Sequence, residues 1–160
     1  MKGIYLASFR AKHDNYNIIY QDINGKRDIS GNMLDINLDE YDYIIATPPC
    51  NYYSRANYRR ETSVYSQKTK DLLPAILKKL KELNKPYIIE NVINHKLMKE
   101  FYNQDFVYEI GRHTYWSNIM FNGTYINQKK DNIKNISKNN RQGGENVHKV
   151  IDYWLEIIHK

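Results

Sequence analysis

Cys50 is the one cysteine in the chain, and it closes the run Thr47-Pro48-Pro49-Cys50 directly after the apolar segment Tyr43 to Ala46. Proline has no ladder N–H, so the double proline forces the chain out of a sheet and displays the next side chain at a strand end. A lone cysteine is more often a small buried hydrophobe than a nucleophile. Here Arg55, Arg59 and Arg60 follow closely, and nearby cations stabilise a thiolate, the form that attacks carbon. Glu90 sits near the end of a second apolar run, Tyr87 to Val92. A charged carboxylate there is costly without a partner. It is therefore either a cap or salt bridge, or an acid of raised pKa that gives a proton or hydrogen bond to a ring nitrogen. Asn91 adds an amide able to bond nearby backbone and hold a loop. In Gly111 to Asn118, Arg112 and His113 stand beside Tyr115 and Trp116. That mixture suits stacking on a base or bonding a phosphate, and equally an ordinary strand.

Apolar periodicity gives the elements that must position these residues. Ile4 to Phe9, Asn17 to Ile23, Tyr43 to Ala46, Tyr87 to Val92 and Tyr115 to Phe121 read as strands, and Met33 to Ile36 as a brief one. Thr69 to Leu83 carries Leu72, Leu73, Ile76, Leu77, Leu80 and Leu83 at helical spacing, and Asn84-Lys85-Pro86 ends it. Val147 to Ile158 reads as an amphipathic helix with Val150, Ile151, Trp154, Leu155 and Ile158 on one side. Gly123 to Gly144 is polar and without period, hence loop. Strands alternating with helices argue for an α/β fold, a single open and mainly parallel sheet spanning 1–160 as one domain. Ligands gather at the carboxyl ends of such strands, which puts Asp22, Pro48 to Ser54 and Glu90 to Val92 on one rim.

With 24 Lys and Arg against 18 Asp and Glu, the net charge of +6 favours encounter with polyanions, so nucleic acid is a natural partner. The bland alternative is a basic protein with no such role. A hydrophobic fraction of 41% excludes a disordered chain. No apolar run reaches the roughly 20 residues of a membrane helix, and no signal peptide is readable. One cysteine cannot make an internal disulfide, and without a cysteine cluster no metal site is expected. A reducing, cytoplasmic setting follows.

Taken together, the segments are more specific. Thr47 to Asn57 (Thr-Pro-Pro-Cys-Asn-Tyr-Tyr-Ser-Arg-Ala-Asn) resembles the catalytic loop of C5-cytosine DNA methyltransferases, and Glu90-Asn91-Val92 resembles that family's Glu-Asn-Val segment. Arg112 to Asn118 is similar to the arginine segment of short, phage-type members. Arg141-Gln142-Gly143-Gly144-Glu145-Asn146-Val147 is similar to a later Arg-Gln-x-Gly-Asn-x-Val segment, with one extra residue. The four stand in family order, from roughly Asp22 onward. The resemblance implies a truncated Rossmann-like methyltransferase fold with S-adenosylmethionine as methyl donor. It implies that Cys50 adds to ring carbon 6 of a flipped cytosine, Glu90 donates to ring nitrogen 3, and Arg112 holds the base. Asp22, Asn32 and Pro48 would line the cofactor site. Ser54, Arg55, Asn57, Asn91 and Arg141 would meet DNA.

Departures from the family pattern keep other readings open. Arg10 to Asn17 has no glycine and is too short for a crossover helix, so the cofactor-binding turn is incomplete. Thr114 stands in place of a second arginine. Residues 119–145 replace a full target-recognition domain with a short loop carrying Lys129, Lys130, Lys134 and Lys138. One alternative is a catalytically degenerate, DNA-binding protein on this scaffold, such as a phage or mobile-element counter-defence factor. Another is cysteine-dependent modification of a pyrimidine with a different substrate or donor. A partner protein or a second copy of the chain is compatible with each.

Overall fold

The computed structural model describes residues 1–103, 106–122 and 140–160, with side chains from 147 onward in the last stretch. Seven strands form one sheet: β1 (Gly3–Leu6), β2 (Ile18–Asp22), β3 (Ile29–Ser30), β4 (Tyr43–Ala46), β5 (Tyr87–Val92), β6 (Phe106–Ile110) and β7 (His113–Ser117). Their spatial order is β3-β2-β1-β4-β5-β7-β6. The pairs from β3 across to β5 are parallel, and β7 runs antiparallel to both β5 and β6. This is an open, mostly parallel α/β sheet of Rossmann-like type, with its direction switch between β1 and β4.

β1 and β4 are uniformly apolar because both faces of the sheet are covered. Helix α1 (Val64–Thr69) is followed by α2 (Leu72–Glu82), and Leu73, Ile76, Leu77 and Leu80 of α2 pack on Ile4, Leu6, Ile44, Ile89 and Trp116. Helix α3 (His95–Met98) follows β5. The other face belongs to α4 (Asn140–Ile158), whose Val150, Ile151, Trp154 and Leu155 cover Tyr5, Tyr43, Ile45, Ile88 and Tyr115. Gly3 has a packing reason, since a Cβ there would lie 2.1 Å from Cε2 of Tyr43.

Four sequence expectations change. Met33 to Ile36 is not a strand: the side chain of Asn32 accepts from the Leu34 N–H at 3.0 Å and caps a 3-10 turn, Met33–Asp35. The third strand is Ile29–Ser30, paired to Gln21 and Asp22. The single strand expected at Tyr115 to Phe121 is a hairpin, β6–β7, turning at Gly111-Arg112 with Gly111 at φ 63. Residues 140–144, expected as loop, open α4 despite the roughly 1 kcal/mol penalty of each helical glycine. No crossover helix joins β1 to β2, as the spacing required.

Candidate active site at the strand ends

Two neighbouring strands deliver the cysteine and the glutamate. The Pro48-Pro49-Cys50 run leaves the end of β4, while Glu90 lies on β5, whose Ile89 is in register with Ala46. Asn91, buried on the opposite face from Glu90, donates from Nδ2 to the Pro48 carbonyl at 3.1 Å. Its Oδ1 accepts from the Val92 N–H. Three residues on, buried Asn94 donates to the Tyr53 carbonyl at 2.7 Å and accepts from the Leu97 N–H. The cysteine loop is therefore pinned to the β5 end at two points. Asn91 acts through the loop rather than by facing solvent, and Asn94 is a clamp that sequence reading missed.

The loop beyond Cys50 also holds itself. The Ser54 N–H donates to the Cys50 carbonyl. Asn57 Nδ2 donates to the Asn51 carbonyl and to Ser66 Oγ, at 2.7 and 2.8 Å. Arg60 donates to the carbonyls of Ser54 and Asn57. Ser54 and Asn57 thus shape the loop, while Arg55, Tyr58 and Arg59 project from it. Tyr58 is 96% exposed.

The electrostatics of Cys50 differ from expectation. Its thiol is pushed above its ordinary pKa, first by burial of the thiol and then by the negative charge of Glu90. The residue is exposed at the rim, so this desolvation comes from protein packed around one side of the thiol. The arginines do not offset it, because Arg60 is engaged with backbone carbonyls and Arg55 and Arg59 point outward. At neutral pH the resting group is the thiol. Alkylation by iodoacetamide, followed by mass spectrometry of the single cysteine, should need a higher pH than an unhindered thiol needs. Glu90→Gln removes the second cause, so its rate profile should move to lower pH. A wild-type rate above that of free cysteine at neutral pH would restore the arginine explanation.

Glu90 is 13% exposed at its side chain, and its Oε1 lies 2.5 Å from Nδ1 of His113. The pairing follows from register: β7 sets Tyr115 opposite Glu90 and His113 opposite Val92, so His113 reaches Glu90 diagonally. Tyr115 lies beside it, with a buried hydroxyl that has no hydrogen-bond partner among the described residues. Glu90 pushes the pKa values of Tyr115 and Tyr5 upward, after the larger effect of burial. His113 was noted in the sequence only as one of a basic pair. Arg112 occupies the hairpin turn next to it, with its carbonyl accepting from the Ile93 N–H at 3.3 Å. Thr114 is fully buried and bonds Tyr102 and the Val92 carbonyl, so it offers nothing to the rim.

The residues that the resemblance assigns to a cofactor, Asp22, Asn32 and Pro48, lie at or just after the ends of β2, β3 and β4. After β1 the chain turns through left-handed conformations at Ala7 (φ 51) and Phe9 (φ 47), a glycine-type path made without glycine. Asp22, at the end of β2, accepts from the Phe9 N–H at 2.7 Å through Oδ2. Its other oxygen has, among the described residues, a long 3.4 Å contact from the Asn24 N–H. Thr47 bridges the switch point by donating from Oγ1 to the Ala7 carbonyl. Asn32 is exposed with its carbonyl oxygen used as a cap. Pro48 is buried beneath the loop. The Arg141 side chain and Lys129, Lys130, Lys134 and Lys138 lie outside the described residues. Among those described, no helix is long and apolar enough to cross a membrane.

A scan against protein-family models finds no match, and a search of curated proteins finds no significant relative.

Proposed function

We propose that this chain is a cytosine-C5 DNA methyltransferase-like protein, with Cys50 as nucleophile and Glu90 as the acid. The observation that supports it most is the pairing of the Cys50 loop with the Glu90 strand end, joined by Asn91 and close enough for the carboxylate to shift the thiol. Flipping a cytosine out of DNA costs a few kcal/mol, and the projecting Arg55, Tyr58 and Arg59 are suited to offset it by phosphate contact and base stacking. Arg112, at the adjacent turn, holds the base through its O2.

In this reading Glu90 takes up a proton from solvent on Oε2 as the base binds and gives it to ring nitrogen 3, while His113 holds Oε1. Drawing electron density to nitrogen 3 makes carbon 6 electrophilic. The Cys50 sulfur adds there once its proton has left, and carbon 5 becomes nucleophilic. S-adenosylmethionine would supply the methyl group to carbon 5, its sulfonium leaving as the neutral thioether. Loss of the carbon-5 proton to water then lets the cysteine depart as thiolate and returns the nitrogen-3 proton to Glu90, restoring the ring. Asp22, with one weakly held oxygen, and the turn at Ala7 to Phe9 fit the ribose and methionine ends of that donor; the glycine-free turn limits the fit.

The test is transfer of labelled methyl from S-adenosylmethionine to cytosine-containing DNA, with trapping on 5-fluorocytosine DNA as the second readout. The expected result is label in 5-methylcytosine and a covalent adduct on Cys50. No donor binding by calorimetry at millimolar concentration defeats the proposal. One observation favours a second reading, a non-catalytic DNA-binding protein on the same scaffold: the Phe9 N–H already holds the acidic residue meant for the ribose. That reading expects salt-sensitive DNA binding indifferent to Cys50→Ala, with log K falling about 0.9 per phosphate neutralised for each tenfold rise in salt.

A further inference from the structure

Two histidines and an aspartate meet where the β1–β2 connection touches α4. His148 and Asp152 are one helical turn apart on α4, so both side chains leave the same face. His13 comes from the connection, with a fully buried side chain and a backbone N–H that donates to the Tyr20 hydroxyl at 2.7 Å. His13 Nδ1 lies 2.6 Å from Asp152 Oδ1, and His148 Nε2 lies 3.2 Å from Asp152 Oδ2. The two imidazoles stack at 4.1 Å with 8° between their planes. One donor atom from each of the three residues falls within 4.8 Å of the others. His13 Nε2 is also buried without a hydrogen-bond partner among the described residues.

We propose that His13, His148 and Asp152 bind a divalent transition-metal ion of the zinc class, strapping the β1–β2 connection to α4. Two imidazoles and one carboxylate form a donor set that zinc and its neighbours accept, with a further position for water. Burial keeps His13 toward its neutral form, which is the ligating one, and the Asp152 carboxylate supplies compensating charge. Metal–donor bonds of about 2.0–2.2 Å at the tetrahedral angle set adjacent donors roughly 3.3–3.6 Å apart. The contact at 2.6 Å must therefore open by about 0.7–1 Å. His148, 43% exposed at its side chain, is free to rotate its ring out of the stack toward the shared ion. Other charged groups near the cluster, Lys12 and Asp14, pair with each other at the surface.

Zinc titration into tag-free, chelator-stripped full chain tests this by calorimetry, with the thermal midpoint as a second readout. The expected result is one saturable site in the micromolar range or tighter and a raised midpoint. His148→Phe, which keeps the aromatic stack, and Asp152→Asn should each weaken binding by at least about tenfold. His95→Ala, which removes the exposed His95–Glu109 pair, should leave it unchanged. Absence of saturable zinc binding, or equal affinity in His148→Phe and the parent, overturns the proposal and leaves a hydrogen-bonded strap.

Discussion

Cys50→Ser is expected to lose methyl transfer to DNA by about 10³-fold or more, with thermal midpoint and DNA affinity close to those of the parent. Serine keeps the shape of the side chain but replaces a titratable thiol by a hydroxyl that stays protonated across the working pH range. Cys50 is exposed and its side chain packs in neither core cluster. A surface change of this kind costs within about 0.5 kcal/mol of stability. The loop geometry is carried by Asn91, Asn94, Asn57 and Arg60, none of which uses the thiol. The serine chain should also form no adduct with 5-fluorocytosine DNA. Transfer retained by the serine chain would remove Cys50 from the chemistry. Because the thiol starts protonated, bound substrate must either accept its proton through water or bring a group that lowers its pKa.

Trp154→Ala is expected to destabilise the fold by about 3–5 kcal/mol, a large part of the 5–15 kcal/mol typical of a domain. The ring is fully buried, edge-on to Tyr43 at 6.2 Å, in the layer between α4 and the sheet. Its Nε1 donates at 3.0 Å to the Ser117 hydroxyl, which itself donates to the Tyr87 carbonyl and accepts from the Ile119 N–H. Trp154→Phe removes the donor and one of the two fused rings while keeping an aromatic ring in place, so it should cost about 1–3 kcal/mol, less than Trp154→Ala. Urea unfolding of the three chains should rank them in that order. A Trp154→Ala cost below about 1 kcal/mol would show that α4 is not an integral layer.

The parts of this fold legible in the sequence are those with a strong period or an abrupt stop. Tyr43–Ala46 and Tyr87–Val92 matched their strands residue for residue, because each holds a buried Tyr-Ile-Ile run bounded by proline, Pro48 just after the first and Pro86 just before the second. β6 was missed because Phe106–Ile110 is largely surface-facing, with Glu109 on the solvent side. β1 was read too long because Ala7 looks like strand and adopts a left-handed turn. In the candidate site, Cys50, Glu90 and Arg112 were legible as types at strand ends. His113 was not assigned to Glu90, since a diagonal contact depends on a register that one sequence does not display. The cluster of His13 with His148 was illegible for a simpler reason: 135 positions separate them, and local spacing carries no trace of the meeting.

The way α4 closes the sheet has a consequence for how the chain comes to be folded. One face, including Tyr5, Tyr43, Ile45, Ile88 and Tyr115, packs against a helix made after every described strand. During synthesis those side chains stay open to water, or to other chains, until α4 emerges. Contacts between residue 5 and residue 150 close long loops, which slows folding relative to local pairing. A nascent chain of this kind is exposed to aggregation for most of its elongation and gains from a chaperone that shields aromatic surface. The face that a crossover helix would have covered early is instead the last to be secured.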